Sequence, residues 1–386
     1  MSWEQVPDRG RRWTPAAVVL ALVLVASAVV GAQRWRDESD GLTVTSGDPD
    51  TTGSDVSGPI GDRDTIELDA AVTARDDGGA ALLPDAPPMT IAIADFGGSI
   101  ETVDTATGRR RDHPVFAEPQ RLNPQQMHVV GDSLVLDVGN RVIRLPDVGA
   151  EPQQLATNHR SVPTSDATSV WIHDVAAPRV GGAATRVGLD DGSVLDRVSL
   201  PALAQPLGGT ADRLVVSTPG TVSHIGIDGD ARLVARGQGL VSDGTNLARL
   251  DCLGNMSCGV VVGTIDDPDR ARVTLREGDV PVGVFGPAGG AFSPDGRWLA
   301  LPLYRQLPSG GFDQPMVAVI DVALGTEVGR MGGSPLTSPR TPLGWSSDGA
   351  WLAVSTGTGL QMWSTEQRRA IDLDVRFSPT YALAVR

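Results

Sequence analysis

Two stretches of this chain are near-copies of one another. Phe292-Ser293-Pro294-Asp295-Gly296-Arg297-Trp298-Leu299-Ala300-Leu301 is answered by Trp345-Ser346-Ser347-Asp348-Gly349-Ala350-Trp351-Leu352-Ala353-Val354. Each reads as a short strand, a Ser-x-Asp-Gly turn, and an apolar strand that opens on Trp-Leu-Ala. Such a unit cannot bury its own apolar face. Repetition at a period near forty residues therefore predicts small antiparallel sheets stacked into a ring, a β-propeller.

Equivalent apolar strands centre on Ile91, Leu134, Val170, Leu214, Leu247, Leu299, Leu352 and Leu383, at a mean spacing of roughly 42 residues, within the range of propeller blades. The first copy lacks an opening strand. The last, Phe377-Ser378-Pro379-Thr380-Tyr381-Ala382-Leu383-Ala384-Val385, reads as two strands before the chain reaches Arg386. Joining the two ends predicts about seven four-stranded blades over 89–386, with one strand too many in the shared blade. Rings of six or eight blades stay open at this point. The expected class is all-β, with 46 Gly and 28 Pro for turns. Aromatics make up only 4%, so Val, Leu, Ile and Ala must build the core.

The N-terminal part reads differently. Pro15–Ala32 is an uncharged apolar run between Trp13 and Trp35, close to the length of a bilayer-crossing helix with interfacial Trp at both ends. Arg9, Arg11 and Arg12 precede it. This predicts a cytoplasmic N-terminus at 1–12, a transmembrane signal anchor at 13–35 and an extracytoplasmic remainder. A cleaved signal peptide ending near Val30-Gly31-Ala32 is the competing reading, and it also exports the domain. Residues 36–88 are acidic and rich in Gly, Ser, Thr and Pro, which predicts a disordered linker with at most a short strand at Thr65–Leu68. That linker holds most of the net charge of −15. The mildly acidic 89–386 offers no basic stripe, which argues against a nucleic-acid partner. All the basic side chains are Arg; there is no Lys.

Cys252 and Cys258 are the two cysteines of the chain, and they flank a turn-like stretch. In an exported protein the expected outcome is a disulfide across a hairpin mouth. Free thiols or a metal site are the alternatives, and two Cys without a nearby His make zinc a poor fit. The segment Leu303–Pro315 reads as a loop that presents Tyr304, Arg305, Phe312 and Asp313 for contact. A solvated hairpin connection is the plainer reading of the same residues.

These segments taken together resemble the WD40 and TolB-like group of β-propellers. FSPDGRWLAL at 292–301, WSSDGAWLAVSTGTGLQMWSTEQRRA at 345–370 and FSPTYALAV at 377–385 carry the resemblance, which is specific there and general over 89–280. The family's Trp-Asp dipeptide stands here as Trp363-Ser364, and its Gly-His element is absent. The Asp–His hydrogen-bond network of that family is therefore not implied. What the resemblance implies is a rigid platform for protein partners, without naming one.

A search for chemistry finds little. His113, His128, His159, His173 and His224 are dispersed, with no metal-binding spacing, nucleophile elbow or phosphate loop among the motifs. Asp190-Asp191-Gly192, Asp228-Gly229-Asp230 and Asp266-Asp267-Pro268-Asp269 fit hairpin turns better than calcium loops. The expectation is thus no catalytic, cofactor or metal residue, and a non-catalytic recognition scaffold at the cell envelope. The alternative is an exported propeller enzyme, a lactonase-like hydrolase or quinone-dependent dehydrogenase, whose ligands would converge from several blades.

Overall fold

The structure, a computed structural model, describes residues 73–75, 82–83, 86–95, 99–114, 124–146, 151–174, 181–253, 257–281, 290–306, 313, 315–332, 342–356, 359–373, 375 and 380–386. All of them fall in one compact unit, Gly58–Arg386. The expected cytoplasmic segment, membrane anchor and Thr65–Leu68 strand lie outside the described residues.

The described strands form seven antiparallel sheets. Each sheet is one blade, and its strands are lettered a to d in pairing order. Blade 1 is Pro124–Val130, Ser133–Val138, Arg141–Leu145 and Gln153–Thr157. Blade 2 follows with His159–Val162, Ser169–Asp174, Gly182–Gly188 and Val194–Leu200. Blade 3 is Gln205–Gly209, Arg213–Thr218, Thr221–Gly226 and Ala231–Arg236, and blade 4 is Gln238–Ser242, Asn246–Leu253, Ser257–Thr264 and Ala271–Val273. In blade 5, strand a comes in two pieces, Asp279–Pro281 and Ala291–Phe292, both paired to Trp298–Arg305. Met316–Asp321 and Thr326–Gly332 complete it. Blade 6 is Leu343–Trp345, Trp351–Ser355, Leu360–Ser364 and Arg369–Leu373.

Blade 7 closes the ring. Its strand a is Thr380–Val385 from the chain's end, followed by Thr90–Asp95, Ser99–Asp104 and Arg110–Pro114. Ile91 stands opposite Val385 and Ile93 opposite Leu383, and Thr90 and Arg386 exchange both backbone hydrogen bonds at 2.7 and 2.9 Å. The closure corrects the sequence reading in one respect. Among the described residues the tail contributes one strand, not two, because Leu383 lies in strand a, whereas the other seven repeat centres all lie in strand b. A supernumerary strand does exist, but it comes from the other end. Thr73–Arg75 pairs with Arg110–Asp112 on the outer edge, and Leu83 is buried in the core with Met89. Residues 73–88 therefore do not all belong to a linker; an edge strand and an apolar anchor tie part of that stretch to the ring.

Seven apolar clusters fill the seven gaps between blades. Each draws on two neighbouring sheets, so alternate residues of a central strand face opposite neighbours, as a period-2 strand buried on both faces requires. In strand b of blade 2, Trp171 joins the cluster shared with blade 3, while Val170 and Ile172 join that shared with blade 1. The cluster of Ile91, Ile93, Leu383 and Val385 with Trp351, Ala353 and Met362 locks blade 7 to blade 6. That of Ala92, Ala94, Ala382 and Ala384 with Leu134, Leu136 and Ile143 locks it to blade 1.

The repeated Ser-x-Asp-Gly segments are the a–b turns of blades 5 and 6. Ser293 Oγ accepts the Trp298 N–H at 2.9 Å and donates to Asp295 Oδ1 at 2.6 Å; Ser346, Trp351 and Asp348 repeat both contacts. Gly296 and Gly349 take φ of 69° and 70°, a left-handed conformation that glycine adopts without a Cβ penalty. These residues satisfy the turn's backbone internally.

Candidate functional site

Polar side chains converge where the inner strands of blades 1 and 2 meet. Strand b of blade 1 is buried along its whole length yet carries a carboxylate, Asp137, only 1% exposed. A charge so placed must be met by donors. The Ser161 backbone N–H lies 3.0 Å from both carboxylate oxygens, and Ser161 Oγ donates to Oδ1 at 2.6 Å. Gln126 Nε2 donates to Oδ2 at 2.7 Å and to the Ser161 carbonyl at 2.5 Å. His128 Nε2 stands 3.0 Å from Ser161 Oγ. Burial pushes the Asp137 carboxyl up, opposed by its hydrogen bonds to Ser161 and Gln126 and by the charge of Arg160.

The order of the three groups decides what they can do. In acyl-transfer triads the imidazole sits between hydroxyl and carboxylate. Here Ser161 sits between, its proton committed to Asp137, so His128 acts as donor to Oγ rather than as its base. The cluster fastens blade 1 to blade 2.

The other face of blade 2 is different. Val162 and Trp171 pack toward blade 3, and by alternation Arg160 and His173, which are cross-strand partners, share that face. Among the described residues the Arg160 guanidinium has neither a hydrogen bond nor an ion pair, and its Nε is buried. His173 Nδ1 lies 3.2 Å from the Asp174 carbonyl. Burial, with Arg160 and His159 adding repulsion, lowers the His173 pKa from 6.5 to about 4. A depressed base is neutral in the fold and protonated sooner in the unfolded chain. Stability from this residue is full above pH 6.5 and is lost as pH falls toward 4, by up to about 3 kcal/mol. NMR titration of the imidazole should place its midpoint near 4, and His173→Gln should flatten stability between pH 6.5 and 4. An imidazole titrating at its ordinary value would refute this placement.

The sequence-predicted residues fare unevenly. Tyr304 is not a loop residue; it lies in strand b of blade 5 and is buried. The strand runs on through Pro302, where the sequence suggested a stop. Strand a pairs with residues 299–300 and 303–305 only, so Pro302, which lacks an N–H, falls in the gap. Arg305 and Asp313 are exposed at the neck of the connection, joined by the Asp313 N–H donating to the Arg305 carbonyl at 2.8 Å; Phe312 lies outside the described residues. Cys252 and Cys258 are directly opposed in the ladder of blade 4. The Asp-rich segments at 190–192, 228–230 and 266–269 are c–d hairpin turns. In two of them an Asp accepts a backbone N–H two residues on, Asp191 from Ser193 at 2.9 Å and Asp228 from Asp230 at 3.0 Å. Among the described residues no three His, Cys, Asp or Glu side chains converge on one point.

Comparison with known proteins assigns no family. No protein-family model and no curated protein sequence matches the chain. Among solved structures it is similar to AztD from Citrobacter koseri, at 12% identity over 78% of this chain and 98% of that one, with a TM-score of 0.48. TolB from Acinetobacter baumannii gives 14% identity over 77% and 66%, with 0.42. Kuenenia stuttgartiensis hydrazine synthase gives 13% over 63% and 77%, with 0.45. At such values the architecture rests on the strand pairing described above, and no activity passes from these proteins to this chain.

Proposed function

We propose that this chain is a non-catalytic recognition platform, anchored in the membrane by Pro15–Ala32 with its N-terminus in the cytoplasm, whose propeller binds a protein partner outside the cytoplasm. One observation supports this best. In a meandering sheet the b–c and d–a connections leave from one end of the strands, and the a–b and c–d connections from the other. The connections 115–123, 306–315 and 333–342 are the longest between successive strands a to d and are all of the first kind; 282–290, as long as 115–123, interrupts strand a of blade 5. The first three leave the strands at the end where Arg305, Asp313 and the Cys252–Cys258 hairpin lie, while the repeated Ser-x-Asp-Gly turns lie at the opposite end. Long connections gathered on one side of a rigid ring suit recognition.

Export also bears on the cysteines. Their register suits a cross-strand disulfide, which an oxidising compartment would preserve. Two measurements on one preparation test the reading. A reporter fused after Arg386 should be active only when exported, and Cys252 and Cys258 should resist alkylation until reduced. Crosslinking in intact cells should then capture a protein through 306–315. Cytoplasmic reporter activity would overturn the orientation, and enzyme-like turnover of small substrates by the purified chain would overturn the non-catalytic role.

A further inference from the structure

Arg160 differs from most of the partly buried cations of the ring. Arg186 is held by Asp166 and Asp196, Arg249 by Asp269, and Arg330 by Glu327 and Asp279. These three guanidiniums have found their carboxylates, as burial of charge favours, whereas Arg213, at the a–b end of blade 3, is like Arg160 in having a buried Nε without a partner among the described residues. Arg160, on the innermost strand of blade 2 and partly buried, has no carboxylate among the described residues. Asp137, a buried acid whose carboxyl feels the charge of Arg160, is already hydrogen-bonded by Ser161 and Gln126 and belongs to the opposite face. Across the gap, blade 3 turns Val216 toward blade 2, and Thr218 shares the face of Val216, so no charge is supplied from there. His159 has its Nδ1 2.5 Å from the Thr157 carbonyl.

The position of this cation matters as much as its lack of a partner. Arg160 is the second residue of strand a of blade 2, and its partner His173 is the last but one of strand b. Both therefore lie at the end of the strands from which the b–c and d–a connections leave. First strands of neighbouring blades lie against each other around the axis, so this is the inner rim at that end.

We propose that Arg160 is a carboxylate-binding residue at the inner rim between blades 2 and 3, receiving an Asp, Glu or C-terminal carboxylate of the protein partner. A guanidinium presents donors in a fork that matches a carboxylate. The charge of Asp174 also reaches this end of the strands, which disfavours a phosphate dianion more than a monoanion. This inference rests on the platform reading for its partner but not for its chemistry, and the tests separate the two.

The direct test uses the full-length chain in detergent. The Arg160 Nε–H resonance is followed while sodium acetate is added at constant ionic strength, with inorganic phosphate as the comparison. A saturable shift with acetate, weaker with phosphate and missing in Arg160→Gln, is the expected result. A resonance that does not move with acetate, or phosphate binding more tightly, overturns the proposal. The second test is crosslinking in cells with wild type and Arg160→Gln, both checked for an unchanged thermal transition. Partner capture should weaken about tenfold or more, the loss expected of a charge-assisted hydrogen bond. Capture unaffected by Arg160→Gln would overturn the site while leaving the platform standing. If neither form captures a partner, the platform fails and the acetate titration alone decides the site.

Discussion

A chain ending at Pro379 should not fold cooperatively. Removing Thr380–Arg386 strips the innermost strand from blade 7 and leaves the edge of Thr90–Asp95 without its ladder. It also takes Leu383 and Val385 from the gap shared with blade 6, and Ala382 and Ala384 from the gap shared with blade 1. Burial of a Leu or Val side chain contributes about 1.5–3 kcal/mol each. Together with the lost ladder and the apolar surfaces uncovered on both neighbours, the deficit reaches about 5–10 kcal/mol, comparable to the whole stability of a domain. The expected signature is loss of a sigmoidal urea transition and proteolysis throughout the ring. Leu383→Ala, which leaves the ladder in place, should cost only about 2–5 kcal/mol. A truncated chain that unfolds cooperatively near the wild-type midpoint would mean that the tail is not part of the ring.

Gly208→Ala should be the most damaging single-methyl addition in the chain's inner ring. Gly208 lies in strand a of blade 3, where inner strands crowd toward the axis. A Cβ there would stand 2.0 Å from the Ser242 carbonyl oxygen and 2.6 Å from its carbon. Both are backbone atoms of blade 4's inner strand, so relief requires moving that whole strand. Overpacking of this kind costs about 3 kcal/mol or more. Gly220→Ala provides the contrast. Its position has φ of 84° but nothing within 4 Å of the added methyl, so the cost should be about 1 kcal/mol, from the backbone alone. Thermal or urea unfolding of both variants checks the ranking. Equal effects would show that the inner strands are farther apart than described.

How much of this was legible beforehand depends on the range of the signal. The strand b centres are read from local apolar runs, and all seven from Ile91 to Leu352 are buried, because a strand packed on both faces needs apolar residues regardless of its partners. The tail misled because Phe377-Ser378-Pro379 imitates the a–b turn of blade 5, whereas pairing with Ile91–Asp95 makes Leu383 a strand a residue. Thr73–Arg75 was hidden because an edge strand needs only backbone pairing, and the acidic composition around it reads as linker. The Asp137 cluster had one local trace, a carboxylate inside the apolar run Ser133–Val138, since a buried charge demands partners. Its donors Gln126 and Ser161 come from different strands and could not be paired from sequence. Nothing local distinguished Arg160 from the other arginines; its lack of a carboxylate among the described residues is visible only in the fold.

Amide hydrogen exchange in the full-length chain addresses ring closure most directly. With the tail as the inner strand of blade 7, the amides within Thr380–Val385 that pair with Ile91–Asp95 should exchange only through global unfolding, with the same free energy as Ser133–Val138 in blade 1. Rapid exchange at 380–385 beside full protection of Ser133–Val138 would contradict the closed seven-bladed ring.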